Sequence, residues 1–233
     1  MGRLYGVSVG PGDPQLMTLK AANIIEKCGV IAVPRTGGET SIALSIAEQA
    51  VDLSGKRKLY FDFPMTADRE ECGKNYSDIA DRLCSELENI DAAFLTLGDI
   101  SVYSTFSHIG SLVGKRGFET EICAGVTSFS AAAALLGEPL CLGDEELHII
   151  PYDCGDIEKA LELGGTKVIM KAGRRAEDLI GLIKAKGLSG CTKIVSNCGL
   201  ADEIIYRSVG SIDSELGYFT LFIITDRENF HEA

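Results

Sequence analysis

Short apolar runs alternate with helical patterns through the first 123 residues, and this rhythm constrains the fold more than any other feature of the chain. Strands are expected at 4–9, 30–33, 58–61, 92–97 and 119–123, with helices at 15–27, 40–50, 75–88 and 104–116. Strand–helix repetition with short, continuously apolar strands predicts a parallel sheet covered on both faces, the doubly wound α/β class. Thr40 or Ser41 is placed to cap the second helix, and Ser77 with Asp78 stands near the start of the third. The stretch 62–74 reads as a long irregular loop.

The first strand runs into GVSVGPGDP at residues 6–14, a glycine-rich turn stiffened by two prolines. It departs from a dinucleotide fingerprint in several ways. Gln15 stands where the third glycine of G-x-G-x-x-G belongs. Pro11 and Pro14 have no N–H to offer a phosphate, Asp13 would repel one, and the second strand ends in Pro34-Arg35 rather than a ribose-binding acid. The loop suits a ligand that carries no phosphate.

After residue 123 the pattern changes. An alanine-rich helix is expected at 127–136, ended by Gly137-Glu138-Pro139. Strands are then expected at 147–151, 166–170, 192–196, 203–208 and 218–225, with helices only at 157–163 and 176–186. More strands per helix predicts a second α/β domain with a mixed sheet, dividing the chain into domains 1–138 and 139–233.

A net charge of −12 argues against nucleic-acid binding, whose affinity comes from Lys and Arg on phosphates. The eight cysteines are scattered, no two closer than seven residues, so there is no C-x-x-C motif; reduced thiols in a cytoplasmic protein are expected. Three histidines without H-x-x-H-type spacing make a histidine metal site an unfavoured reading, and no metal is expected. No apolar run reaches the ~18 residues of a membrane span, and the N-terminus runs straight into a strand rather than a signal peptide.

Two further turns follow the fourth and fifth strands: LGDISVYST at 97–105 and AGVTS at 124–128. In open parallel sheets ligands sit beyond the carboxyl ends of the strands, and all three turns fall at such ends. Each has a plainer reading. Asp99 would also cap a helix over 101–116, Thr127 and Ser128 are good caps for the alanine-rich helix, Met170 is a core residue by type, and Arg174-Arg175 reads as a solvated pair.

Taken together, YGVSVGPGDPQLMTLKA, LGDISVYSTFSHIG and AGVTSFSAAAALLGEPL closely resemble the tetrapyrrole (corrin/porphyrin) methylase family, over nearly the whole chain. Ile100 and Ala124 stand where the family usually has proline. The resemblance is nearest to members acting at C20 of precorrin-2 or cobalt-factor II, and it implies S-adenosyl-L-methionine as methyl donor, held in a cleft between two domains. It carries cofactor contacts onto Pro11, Leu97, Gly98, Asp99, Val102, Thr127, Ser128, Met170, Lys171 and Gly199. Arg35, Tyr103, Arg174 and Arg175 are candidate anchors for a carboxylate-rich macrocycle. A homodimer is the family's habit. Other readings are methylation at C2/C7 of uroporphyrinogen III, or a nucleotide-binding module without turnover. No general base is identified.

Overall fold

The computed structural model describes residues 1–35, 41–64, 66, 68–153 and 155–226, and the main chain but not the side chain of Arg174. It divides into two compact units, Met1–Ser128 and Phe129–Ala233. The sequence expectation sets the junction ten residues later, at the far end of the alanine-rich helix.

In the first unit, β1 (Arg3–Ser8), β2 (Val30–Arg35), β3 (Arg57–Asp62), β4 (Ala92–Thr96) and β5 (Glu119–Cys123) form one sheet in the order β3-β2-β4-β1-β5. Every pairing is parallel. Side-chain alternation then builds two cores from the same strands. Val7, Ile31, Val33, Ala93 and Leu95 meet α1 (Leu19–Lys27) and α2 (Ile42–Ala50) on one face. Leu4, Val30, Ala32, Phe61, Ala92 and Phe94 meet α3 (Arg69–Leu87) and α4 (Phe106–Lys115) on the other. Fully burying a side chain such as Leu95 or Phe94 contributes about 1.5–3 kcal/mol. The doubly wound expectation is met.

The chain leaves β1 toward the α1/α2 face and leaves the neighbouring β4 toward the α3/α4 face. These adjacent strands therefore form the topological switch point, where open sheets of this class part at their carboxyl edge. The expected loops sit there.

Two helix starts differ from expectation, and a third meets it. The helix expected from residue 15 is split. Asp13 caps a short 3-10 turn at Pro14–Leu16, the chain extends at Met17, and Thr18 caps α1 through a 3.1 Å bond from the Ala21 N–H. Two good caps five residues apart divide what one apolar periodicity suggests is continuous. The expected loop at 62–74 shortens, because Asp68 accepts from the Glu70 and Glu71 N–H groups (2.8 and 3.3 Å) and starts α3 at Arg69. Ser77 and Asp78 lie inside that helix. For α2 the cap is Ser41; Thr40 lies outside the described residues.

The second unit holds α5, Ser128–Leu136 (from Phe129 onward), β6 (Leu147–Pro151), α6 (Ile157–Ala160), β7 (Thr166–Met170), α7 (Ala176–Ala185), β8 (Thr192–Ser196), β9 (Ile204–Tyr206) and β10 (Thr220–Ile224). Its sheet runs β6-β7-β10-β8-β9, with β6 and β7 parallel and the remaining pairs antiparallel. This is the expected mixed sheet. Ile169, Ile194, Phe222 and Ile224 pack with Leu179 and Ile183 of α7. Glu138, just past α5, forms a buried ion pair with Lys193 of β8.

Candidate functional site

Three loops at the carboxyl edge of the first sheet are hydrogen-bonded into one body. Gly10 and Gly98 pair across an antiparallel bridge, with Gly98 N–H donating to Gly10 O (2.7 Å) and Gly10 N–H to Gly98 O (3.3 Å). Both lie in the left-handed region, at φ +82° and +74°. Glycine is the residue that takes this conformation without steric cost. Gly98 is itself buried, yet nothing lies within 4 Å of where a side chain would begin, so this backbone borders unfilled space.

Asp99 ties the second loop to the third. One carboxylate oxygen, Oδ1, accepts from the N–H of Ser101 (2.9 Å) and from its hydroxyl. The other, Oδ2, accepts from Gly125 N–H at 2.6 Å. Asp99 is only 7% exposed. Burial alone would push this carboxyl up, but the hydrogen bonds from Ser101 and Gly125 outweigh it and hold the group below the ordinary aspartate range. It does not cap α4, whose first turn begins at Phe106; Ser104 Oγ accepts from the Phe106 N–H instead. The carboxylate braces the two loops.

Sequence reasoning missed the hub of this cluster, Ser8. Fully buried at the end of β1, its hydroxyl donates to Cys123 O (2.8 Å) and accepts from Ile100 N–H (2.9 Å). It thus joins β1, the second loop and β5. The available signal was a lone hydroxyl inside the apolar run of the first strand. Gly125 lies against it: a methyl group there would sit 2.4 Å from Ser8 Cβ and 3.1 Å from Gly98 O.

Around this body, Pro11 is buried, Leu97 and Val102 are half-buried, and Thr127 and Ser128 are half-buried at the start of α5. Tyr103 is 45% exposed and holds a left-handed backbone, φ +54°. No basic side chain occurs among Pro11, Leu97, Gly98, Asp99, Val102, Thr127 and Ser128. Arg35 ends β2, with its Nη2 donating to Asp62 (2.8 Å) and its guanidinium over the Tyr60 ring at 5.0 Å.

In the second unit β7 and β8 run parallel to each other with antiparallel β10 between them. Met170, Lys171 and Gly199 therefore share that sheet's carboxyl edge. Lys171 (φ +58°) and Asn197 (φ +53°) are left-handed without being glycine. Desolvation pulls the Lys171 ammonium below the ordinary lysine range. Gly199 N–H donates to Glu203 (2.7 Å), and Asn197 Nδ2 to Asp202 (2.6 Å). Arg175 is committed to Asp153 at 2.9 Å and lies over the Tyr152 ring at 4.6 Å. The Arg174 side chain lies outside the described residues.

The family model of the Tetrapyrrole (Corrin/Porphyrin) Methylases matches residues 3–212. The chain belongs to that family. It is 38% identical over 193 residues to the probable cobalt-precorrin-2 C(20)-methyltransferase of Methanocaldococcus jannaschii, covering 78% of this chain and 82% of that one. Against the cobalt-precorrin-2 C(20)-methyltransferase of Salmonella typhimurium, identity is 31% over 238 residues, 99% of each chain. The solved uroporphyrin-III C-methyltransferase of Thermus thermophilus, complexed with S-adenosyl homocysteine, shares the fold with a TM-score of 0.69 at 20% identity, over 97% of this chain and 98% of that one.

Membership gives the loop cluster its context without changing its physics. Among the described residues no helix is long and apolar enough to cross a membrane, and no group of His, Cys, Asp and Glu stands ready to hold a metal ion. The described cysteines are all free thiols. Cys28 and Cys198 are pushed up to about 12 and about 11, mainly by burial, which makes them inert.

Proposed function

We propose that this chain is an S-adenosyl-L-methionine-dependent C-methyltransferase that methylates C20 of precorrin-2 or of its cobalt complex, in corrin biosynthesis. The observation that carries the reading is the cradle of three hydrogen-bonded loops at the switch point, open over Gly98 and free of basic side chains. Such a cradle fits a ligand that is zwitterionic, cationic at sulfur and without phosphate. The relatives named for the C20 reaction, similar over most or all of their length, support the choice of carbon. The Thermus neighbour holding S-adenosyl homocysteine supports the choice of donor.

When bound, the cofactor supplies a methyl group on a sulfonium, already poised to leave. The chain's own residues then act by placement, which can supply up to ~7–11 kcal/mol of a barrier when reacting atoms are held in line. Gly98 lets the ligand approach the main chain closely, while Asp99 and Ser8 keep that loop rigid. Pro11, Leu97 and Val102 form apolar walls, and Thr127 and Ser128 offer hydroxyls. Met170, Lys171 and Gly199 complete the set of cofactor contacts in this reading. Arg35, Arg174 and Arg175 anchor carboxylates of the macrocycle, with Tyr103 against its ring. No side chain is assigned as general base. We place the domain boundary after α5, at 138/139, and read the protein as a cytoplasmic homodimer; free thiols throughout the described cysteines support a reducing compartment.

Mass spectrometry of products after incubation with labelled S-adenosyl-L-methionine and, separately, precorrin-2, cobalt-factor II and uroporphyrinogen III tests the reading. One methyl added to precorrin-2 or cobalt-factor II and none to uroporphyrinogen III is the expected result. Methylation of uroporphyrinogen III alone moves the activity to C2/C7, and no transfer to any of the three overturns it.

A further inference from the structure

The half-filled guanidinium of Arg35 carries the strongest signal outside the loop cluster. Arg35 stands opposite Asp62 at the last register position of the β2–β3 pair, on the same carboxyl edge as the glycine loops. Its plane is set by the Tyr60 ring beneath it at 5.0 Å. Nη2 donates to one oxygen of Asp62 at 2.8 Å. The adjacent Nε is buried and has no hydrogen-bond partner among the described residues. No other described arginine leaves a buried nitrogen so. Arg3 and Arg116 place Nε and both Nη groups on acceptors, and Arg57 sets both Nη groups on Glu86.

Guanidinium binds carboxylate best as a fork, with two parallel N–H groups on two oxygens. The Nε and Nη2 groups form one such edge, and Asp62 fills a single position of it. Its own side chain is 74% exposed, against 27% for Arg35. A one-toothed ion pair with so exposed an acid adds little stability and exchanges readily. The buried Nε, by contrast, is an unmet donor whose satisfaction would be favourable. Strand β3 need not move in the exchange, because the Asp62 main-chain oxygen is held separately by Asn75 Nδ2 at 3.0 Å.

We propose that Asp62 is a placeholder on Arg35, and that a peripheral carboxylate of the substrate displaces it to take the Nε–Nη2 edge as a two-toothed pair. This rests on the tetrapyrrole reading above, and it names the residue against which one substrate carboxylate competes. Asp62 then tunes affinity by opposing it.

The test uses the full-length protein, with wild type, Asp62→Asn and Arg35→Lys compared in two measurements. One is the KM and kcat of methyl transfer to the tetrapyrrole that wild type accepts. The other is fluorescence titration with an inert octacarboxylate porphyrin and with its octamethyl ester. Asp62→Asn should lower KM and tighten the acid porphyrin about threefold, the scale of a surface ion pair. Arg35→Lys should raise KM and weaken that porphyrin by about tenfold or more, as loss of a charged fork does. In Asp62→Asn kcat should hold, in both variants ester binding should hold, and binding of S-adenosylhomocysteine as in wild type shows that each is folded. Weaker or unchanged acid-porphyrin binding in Asp62→Asn overturns the placeholder, as do equal responses of acid and ester. Absence of methyl transfer by wild type to any tetrapyrrole is a different result: it removes the proposed function, while the porphyrin titrations still decide the exchange at Arg35.

Discussion

The carboxyl edges of the two sheets solve the same backbone problem differently. In the first unit the left-handed positions of the cradle at Gly10 and Gly98 are glycine, and the neighbouring polar groups of Ser8, Asp99 and Gly125 satisfy one another. In the second unit the corresponding positions after β7 and β8 are Lys171 and Asn197, residues that keep a side chain at a steric cost of roughly 1–2 kcal/mol each. Asparagine tolerates that region better than lysine does, since its short polar side chain bonds locally, here to Asp202. The difference teaches what these four positions present: bare main chain at Gly10 and Gly98, side chains at Lys171 and Asn197, while Tyr103 in the first unit and Gly199 in the second show that each edge also holds the other kind.

The largest effect is expected where two loops touch. Gly125→Ala would drive a methyl to 2.4 Å from Ser8 Cβ, and prying the loops apart should cost about 1–3 kcal/mol of stability. Thermal unfolding at a lower temperature, with S-adenosylhomocysteine binding lost, is the outcome to look for. Unchanged melting and binding would show that the cluster is not tightly braced.

Next in size is Asp99→Asn, which keeps an acceptor for Ser101 but turns an amide N–H toward that of Gly125. Two donors facing each other in a buried place should destabilise by about 1–3 kcal/mol. The pH dependence follows from the direction of the shift. Asp99 is depressed in the folded state, so its contribution is present above the ordinary value of 3.8 and is lost as pH falls through the folded value. Acid unfolding curves should therefore converge for wild type and variant at low pH and separate above it. A constant gap at every pH would remove Asp99 as the brace.

Gly98→Ala makes the same chemical change as Gly125→Ala for a different reason. Nothing stands near the new methyl, so only the left-handed backbone is strained, by about 1 kcal/mol. The protein should stay folded while cofactor affinity drops clearly, because the methyl enters the open space over the loop. Equal losses of stability in the two alanine variants would erase the distinction between packing and presentation.

The smallest effect should come from the other sheet. Lys171→Gly relieves the backbone and is expected to stabilise by up to about 1 kcal/mol, read by denaturant midpoint, while methyl transfer declines. A stabilised variant with full activity would mean that the strained lysine has no task at that edge.

Much of this was legible in the chain. Every strand of both sheets was foreseen to within a few residues, most plainly β2 and β4, whose burial on both faces demands a short apolar run. The glycine loops stood out for the same local reason: a left-handed turn selects glycine. Helix starts were read less well. At Asp13, Thr18 and Asp68 side-chain caps overrode the apolar periodicity, and a cap acts through one or two hydrogen bonds that periodicity does not register.

By itself, then, the sequence determined which segments pair into sheets, which turns need glycine and which family the chain belongs to, since these depend on neighbours along the chain. Only the tertiary structure decided that Ser8 is a hub, that Asp99 faces Gly125 and that Arg35 leaves a donor unmet beside Asp62. Those facts rest on atoms from strands far apart in sequence brought within hydrogen-bond reach. No local pattern encodes such a distance until the sheet order β3-β2-β4-β1-β5 sets it.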